Sequence, residues 1–94
     1  MDIGFVWDEN KYQSVQQKHG VQFYEVVSAF DDSDGCEFPD PEGHEERWML
    51  IARSTGGREL AIVFSEEDLP VYRLITAFDV DEGLRDEYYK RGGI

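Results

Sequence analysis

The fold of this chain is decided by two apolar stretches, Arg47-Trp48-Met49-Leu50-Ile51-Ala52-Arg53 and Arg58-Glu59-Leu60-Ala61-Ile62-Val63-Phe64. Both are rich in large and β-branched apolar residues, and Gly56-Gly57 lies between them. Apolar runs of this length on either side of a glycine pair are typical of a β-hairpin. The centre of the chain is therefore predicted to be two antiparallel strands.

A turn of two residues at Gly56-Gly57 also predicts which residues face each other across the hairpin. The predicted pairs are Arg53 with Leu60, Ile51 with Ile62, and Met49 with Phe64. We expect this face to be the core. The opposite face is still apolar enough to need cover, since it carries Trp48, Leu50, Ala52, Ala61, Val63 and Ser65.

Before the hairpin, the sequence predicts a short extended segment and two helices. Gly4-Phe5-Val6-Trp7 reads as a strand, and Asp8 offers a cap for a first helix from Glu9 to Lys18. Gly20 follows in the position where helices end in a left-handed residue. A second helix is predicted by an apolar stripe near the 3.6-residue period, formed by Val21, Phe23, Val26, Val27 and Phe30.

The remaining segments complete an α+β pattern. Residues 31–46 are rich in Asp, Glu, Gly and Pro and are predicted to be a loop that holds one short strand. Val71 to Phe78 alternates as a further strand, and Asp79 or Asp81 can cap a final helix before Gly92-Gly93. The predicted order is two N-terminal helices, an antiparallel meander sheet and a C-terminal helix, in a single domain over residues 1–94.

Composition narrows the function classes. The chain has 94 residues, with 21 Asp and Glu against 9 Lys and Arg, so its formal net charge is -12. Such a charge repels nucleic acid and acidic membranes at long range unless the few basic residues cluster on one face. Composition alone therefore argues against nucleic-acid binding, and we expect no direct DNA binding by this chain alone. Because a domain of this size buries only about 65% of its unfolded surface, we expect a surface groove rather than a deep cavity.

The ends of the chain and its cysteine content predict a cytoplasmic protein. The longest apolar run, Leu60 to Phe64, is too short for the ~20 residues that cross a bilayer, and the N-terminus lacks a signal-peptide pattern. Cys36 is the single cysteine, so no internal disulfide forms. Its acidic neighbours raise a thiol pKa, which disfavours a nucleophilic role.

The sequence predicts neither a metal site nor a bound cofactor. Asp32-Ser33-Asp34-Gly35 resembles part of a calcium loop, but the EF-hand spacing then puts Phe30 at the first ligand position and Pro41 at the last. A solvated acidic loop is the better interpretation. No nucleotide-binding or hydrolase motif is present.

The basic residues are few and invite two interpretations. They are Lys11, Lys18, His19, Arg47, Arg53, Arg58, Arg73, Arg85, Lys90 and Arg91. The four arginines in or beside the strands either meet on the sheet and hold an anion or pair with the abundant carboxylates. His19 is either a favourable residue at a helix end or a proton-transfer group.

The ordered string of motifs resembles the BrnT family, which comprises ribonuclease toxins of bacterial type II toxin–antitoxin pairs with a RelE-like fold. The resemblance spans most of the chain, and its specificity comes from the order and spacing of the pieces. These are Phe5-Val6-Trp7-Asp8 with Lys11, Lys18-His19-Gly20-Val21 with Phe23 and Glu25, Phe30-Asp31-Asp32, Glu46-Arg47, Ile51-Ala52-Arg53-Ser54, Gly57-Arg58, Phe64-Ser65-Glu66 and Arg73-Leu74-Ile75-Thr76-Ala77.

The resemblance implies an activity, a substrate and a partner. The activity is RNA cleavage without metal, in which the 2′-hydroxyl attacks the adjacent phosphate. The partner is a BrnA-like antitoxin, a ribbon-helix-helix DNA-binding protein that holds the toxin inactive. By motif position, the implied catalytic set is Lys18, His19, Arg47, Arg53, Arg58 and Arg73. Trp7 and Trp48 either stack on a base or pack in the fold.

Two departures from the family pattern support a competing hypothesis. Family members follow the last strand with an Ala-Arg step, whereas Ala77 is followed here by Phe78-Asp79. The C-terminal helix is also acidic where the family has a basic one. The alternative is a catalytically degenerate member that keeps the fold and acts as an acidic module for binding a basic protein.

Overall fold

The structure, a computed structural model, describes residues 4–91 and the side chains of residues 4–86. The prediction of an α+β fold is confirmed. The elements in chain order are β1 (Gly4–Trp7), α1 (Glu9–His19), α2 (Phe23–Ala29), β2 (Cys36–Pro39), β3 (Arg47–Arg53), β4 (Glu59–Ser65), β5 (Val71–Asp79) and α3 (Glu82–Arg91). No helix among the described residues is long and apolar enough to cross a membrane.

The five strands form one mixed sheet in the order β1-β5-β4-β3-β2. Strands β2 to β5 pair antiparallel with their neighbours in sequence, as a meander does. The prediction of a purely antiparallel sheet was wrong, because β1 adds to the edge of β5 in parallel. The two helices between β1 and the meander let the chain cross over the sheet, which is the connection that a parallel pair requires.

The hairpin of β3 and β4 has a register one residue away from the predicted one. Arg53 pairs with Glu59 rather than Leu60. The cause is a three-residue turn: the amide of Gly57 donates to the Ser54 carbonyl at 2.9 Å, and the amide of Ser54 donates to the Arg58 carbonyl at 2.9 Å. Gly57 has a φ of 88°, which is the left-handed residue that such a loop requires.

This shift changes which side chains share a face, because successive strand residues point to opposite sides. Leu50 and Ala52 lie with Leu60, Ile62 and Phe64 under α1 and α2, together with Val15, Val21, Val26, Ala29, Leu74 and Ala77. The other face buries Met49, Ile51, Ala61 and Val63 with Cys36, Phe38 and Val80, and Leu84 of α3 packs against it. The prediction that both faces are covered is confirmed.

The predicted helix boundaries hold to within one or two residues because local capping groups set them. The Asp8 carboxylate accepts from the Lys11 amide at 3.1 Å, and Gly20 ends α1 with a φ of 63°. At α3, the Asp81 carboxylate accepts from the Leu84 amide at 2.9 Å. Asp81 is therefore the residue that caps α3, and Asp79 has a different set of contacts.

Candidate functional site

A basic groove lies between α1 and β5. It has a volume of about 230 Å³ and is lined by Lys11, Ser14, Val15, Lys18, His19, Ile75 and Thr76. Residues 11, 14 and 18 share a helix face because they are three and four positions apart. Among the residues that the structure describes, β1 pairs with β5 only from Val71 to Leu74, so from Ile75 onward β5 has no neighbouring strand on that side and packs near α1.

The groove concentrates positive charge on an otherwise acidic protein. Among the residues whose side chains the structure describes, no carboxylate forms an ion pair with Lys11 or Lys18. Both ammonium groups can therefore bind an anion from solvent. The hydroxyls of Ser14 on α1 and Thr76 on β5 add one neutral donor from each element that lines the groove. This combination of ammonium and hydroxyl donors suits a phosphate oxygen.

Arg58 forms an ion-pair cluster at one end of this groove. Its Nε and Nη2 atoms donate to the two carboxylate oxygens of Asp79 at 2.6 and 2.9 Å. Nη1 donates to the Gly20 carbonyl at 3.0 Å and lies 3.3 Å from a carboxylate oxygen of Glu25, and Nη2 donates to the His19 carbonyl at 2.8 Å. We call Arg58, Glu25 and Asp79 with these carbonyls the Arg58 clasp.

The clasp shifts the pKa values of Asp79 and Arg58 in opposite directions. The hydrogen bonds from Arg58 hold the pKa of Asp79 below its usual range, against the opposing effect of partial burial. Because Asp79 accepts these hydrogen bonds, they also raise the pKa of Arg58 above its already high value. Arg58 and Asp79 therefore both carry charge at neutral pH, and the Arg58 guanidinium contacts the carboxylates of both Asp79 and Glu25.

The four sheet arginines do not meet at one place. Arg47 and Arg73 both pair with Ser65 and so lie two strands apart at one end of the sheet. Arg53 and Arg58 lie at the other end, roughly 20 Å away along a seven-residue strand. Pairing with carboxylates, the second of the two interpretations, describes Arg58 and also Arg73, which donates to Asp68 at 2.9 Å.

Two further grooves hold the other candidate arginines. Arg53 lines a polar groove of about 300 Å³ beside the C-terminus of α2, with Ser28, Asp32 and Thr55. Its backbone amide donates to Asp32 at 2.8 Å. Arg47 lines a more apolar groove of about 400 Å³ on the α3 side of the sheet, formed by Met49, Val63, Ile75, Phe78 and Leu84 with a rim of Asp40, Glu42 and Asp81.

The acidic loop brings Asp40, Glu42 and His44 together, with one potential ligand atom from each within 4.8 Å of the others. Hydrogen bonds account for this arrangement, since the Asp40 carboxylate accepts from the Glu42 amide at 3.0 Å and lies 2.7 Å from His44 Nδ1. Burial on its own raises the pKa of Asp40, but these contacts outweigh it and lower the pKa overall. The cluster therefore has a structural explanation in the turn.

Sequence reasoning chose Lys18 and His19 but did not select three residues that share their groove, namely Lys11, Ser14 and Thr76. The helical spacing of residues 11, 14 and 18 is a signal that identifies the first two. Thr76 has no such signal, because its position depends on how β5 packs against α1. Trp7 packs against Tyr12 and Phe23, and its indole donates to the Ile75 carbonyl at 3.3 Å.

Replacing Arg58 with alanine is expected to lower the free energy of unfolding by about 1–3 kcal/mol, since it removes the donor to Asp79 and to the His19 and Gly20 carbonyls and one of two donors to Glu25. Urea denaturation measures this change. Arg73→Ala is the control, because Arg73 pairs with one exposed carboxylate and should cost at most about 1 kcal/mol. Equal losses in the two variants would contradict the structural importance of the clasp.

Acid is expected to destabilise the protein through Asp79, whose pKa is lower in the folded chain. The unfolded state then binds more protons, so the stabilisation is complete above the unfolded pKa of about 3.9 and is lost as pH falls through the folded value. Urea denaturation of the wild type and of Asp79→Asn at pH 6 and pH 3 checks this, because the variant should lose less stability on acidification. The same loss in both proteins would show that Asp79 contributes nothing to the pH dependence.

Comparisons with known proteins agree on one family. The family model described as "Ribonuclease toxin, BrnT, of type II toxin-antitoxin system" matches residues 7–82. The crystal structure of the Brucella abortus ribonuclease toxin BrnT is similar with a TM-score of 0.62 at 23% sequence identity, covering 86% of this chain and 100% of that one. No curated protein matches the sequence significantly. Because the family model spans most of its length, the chain belongs to the BrnT family of ribonuclease toxins of type II toxin–antitoxin systems.

Proposed function

We propose that this chain is a metal-independent endoribonuclease that binds the RNA backbone in its basic groove. The observation that carries the proposal is the meeting of Lys11, Lys18 and His19 in one groove on a protein of net charge -12. Family membership gives the reaction class, and the groove supplies groups able to perform it. No other cluster of described side chains combines unpaired ammonium groups with a titratable imidazole.

The proposed reaction needs a base, an acid and positive charge at phosphorus. Neutral His19 accepts the proton of the 2′-hydroxyl, whose oxygen attacks the neighbouring phosphorus. The bond to the 5′-oxygen breaks, and the Lys18 ammonium protonates that leaving oxygen. The products are a 2′,3′-cyclic phosphate and a 5′-hydroxyl, and Lys11 neutralises the backbone beside the cleaved bond. No step requires a metal ion.

The four arginines that the resemblance implies do not share one role in the proposed reaction. Arg58 holds its carboxylates and the end of α1. Arg47, Arg53 and Arg73 line other surfaces, where their contribution to RNA binding stays a prediction. The same cleavage assay, applied to an alanine variant of each, measures that contribution.

The test is incubation of the purified protein with total RNA in excess EDTA. We expect cleavage by the wild type and a loss of about 10²-fold or more in Lys18→Ala, since the variant lacks a transition-state contact. Arg85→Ala is the matched control: it removes the same charge from α3, where Arg85 pairs with Glu59. Failure of the wild type to cleave RNA at high protein excess would contradict the proposal.

The competing function is a degenerate member that binds a basic protein without cleaving RNA. Phe78 and Asp79 favour it, because they place a ring and a carboxylate beside His19 where the family pattern has an arginine. The EDTA assay separates the two functions. An inactive wild type that still forms a complex with a basic partner would support the degenerate module.

Membership of this family implies an antitoxin partner. We propose that the partner is BrnA-like, with a ribbon-helix-helix fold, and that a basic DNA-binding protein is attracted by the charge of -12. Complex formation with such a protein should weaken as salt rises. The RelE-like classification of the fold and the cytoplasmic location stay predictions.

A further inference from the structure

We propose that Glu25 and Asp79 are positioning residues that act through Arg58 to fix the end of α1 against β5, and so set the geometry of the basic groove. This inference rests on the proposed function for its effect on catalysis. The clasp itself is defined by contacts that are independent of any substrate.

The geometry of the clasp connects the two walls of the groove. The carbonyls of His19 and Gly20 belong to the last turn of α1 and its cap, where carbonyls lack partners within the helix. Arg58 donates to both of them. Asp79 accepts hydrogen bonds from Nε and Nη2 of the same guanidinium. It is the last residue of β5, the strand that contributes Thr76 to the groove. One guanidinium therefore holds α1 and β5 together.

Glu25 ties a third element into the same arrangement. Its carboxylate lies 3.3 Å from Arg58 Nη1 and also accepts from the Gln22 amide at 2.9 Å, at the first turn of α2. The link between α1 and α2 is thereby fixed at both of its ends. The Glu25 side chain is only 16% exposed, so water does not easily replace it in this contact.

The position of His19 depends on this arrangement because the clasp binds the carbonyl of His19 itself. A displacement of about 1 Å at a reacting group can cost about 10²-fold in rate. Loss of one carboxylate lets the guanidinium rotate away from α1, and the backbone that carries Lys18 and His19 then gains freedom. The effect should appear in the chemical step rather than in RNA binding.

The charge of Asp79 makes the proposal sharply testable, because two other roles predict the opposite result. If Asp79 only repels RNA, or if it withholds Arg58 from a phosphate, then Asp79→Asn should raise the rate. If Asp79 positions the groove through Arg58, the same variant should lower kcat. Removal of a negative charge near the groove should leave KM unchanged or lower in every case.

The experiment measures kcat and KM for cleavage of an RNA oligonucleotide in EDTA. We expect Asp79→Asn and Glu25→Gln each to lower kcat about tenfold or more without raising KM. Asp79→Glu, which keeps the charge and can reach Arg58, should recover most of the rate. Glu59→Gln is the control, since it removes a charge from the residue next to Arg58 on the opposite face, where Glu59 pairs with Arg85. An unchanged or raised kcat in Asp79→Asn would overturn the proposal.

A second measurement works even if the protein does not cleave RNA. The Gly20 amide donates to the Gln16 carbonyl at 2.9 Å, so its hydrogen exchange reports opening of the last turn of α1. We expect exchange at Gly20 to be at least threefold faster in Asp79→Asn than in Glu59→Gln. Unchanged exchange would overturn the proposal in an active or inactive protein. Faster exchange in a protein that does not cleave RNA would support the clasp and contradict only the proposed function.

Discussion

Replacing His19 with alanine is expected to lower the rate of RNA cleavage by about 10²–10⁴-fold, the usual contribution of a proton-transfer group. The fold should hold, because His19 is exposed and the clasp contacts its backbone carbonyl rather than its ring. Its ring contacts Phe78 with a centroid distance of 6.0 Å, a contact that alanine loses at small cost. Single-turnover cleavage in EDTA, together with a urea denaturation curve, measures both effects.

His44 provides the matched control for this experiment. It is the other histidine of the chain, its Nδ1 atom lies 2.7 Å from Asp40 in the acidic loop, and it is not among the residues that line the basic groove. His44→Ala should leave the cleavage rate unchanged and should cost some stability through the loss of that contact. Equal cleavage by His19→Ala and wild type would remove His19 from the mechanism and leave proton transfer without a base.

Replacing Phe64 with alanine is expected to lower the free energy of unfolding by about 3–5 kcal/mol, as is usual for a buried aromatic residue. Phe64 is 0% exposed and lies on β4 at the centre of the sheet. Its ring makes edge-to-face contacts with Phe30 at 5.2 Å and Tyr72 at 5.3 Å, so it connects the end of α2 to β5. Truncation leaves a cavity that these neighbours cannot fill without moving.

The size of this loss matters because domains of this size have only about 5–15 kcal/mol of stability in total. Urea denaturation measures the change. If the free energy of unfolding depends on urea concentration with the same slope as in the wild type, the transition is still two-state. Val6→Ala is the control, because Val6 is 41% exposed on the edge strand β1 and should cost less than about 1 kcal/mol. Similar losses for Val6→Ala and Phe64→Ala would show that β4 is not the centre of the core.

Much of the local structure could be predicted from the sequence because short-range physics determines it. Asp8 and Gly20 mark the ends of α1 through a side-chain cap and a left-handed backbone, which act within a few residues. The strands were found from their apolar runs, and Lys18 and His19 were chosen by their motif position in the family resemblance.

The hairpin register illustrates where this local reasoning fails. Gly56-Gly57 suggested a turn of two residues, but Gly57 instead ends a three-residue turn that begins after Ser54. The glycine pair is compatible with both turns, which differ only in the hydrogen bonds that close the loop. The difference of one residue moved Leu50 and Ala52 to the face under α1 and α2.

The sequence by itself determined the helices and strands, their caps, the acidic charge and the family, since these depend on residue type and spacing along the chain. Only the tertiary structure decided that β1 joins β5 in parallel, that Thr76 lines the same groove as Lys18, and that Arg58 holds Asp79 and the end of α1 instead of joining the other arginines. The hydrogen bonds from Arg58 to Asp79 and from Trp7 to Ile75 join residues 21 and 68 positions apart. Such contacts produce no periodic pattern in the sequence, because their energy is gained only when distant segments pack together.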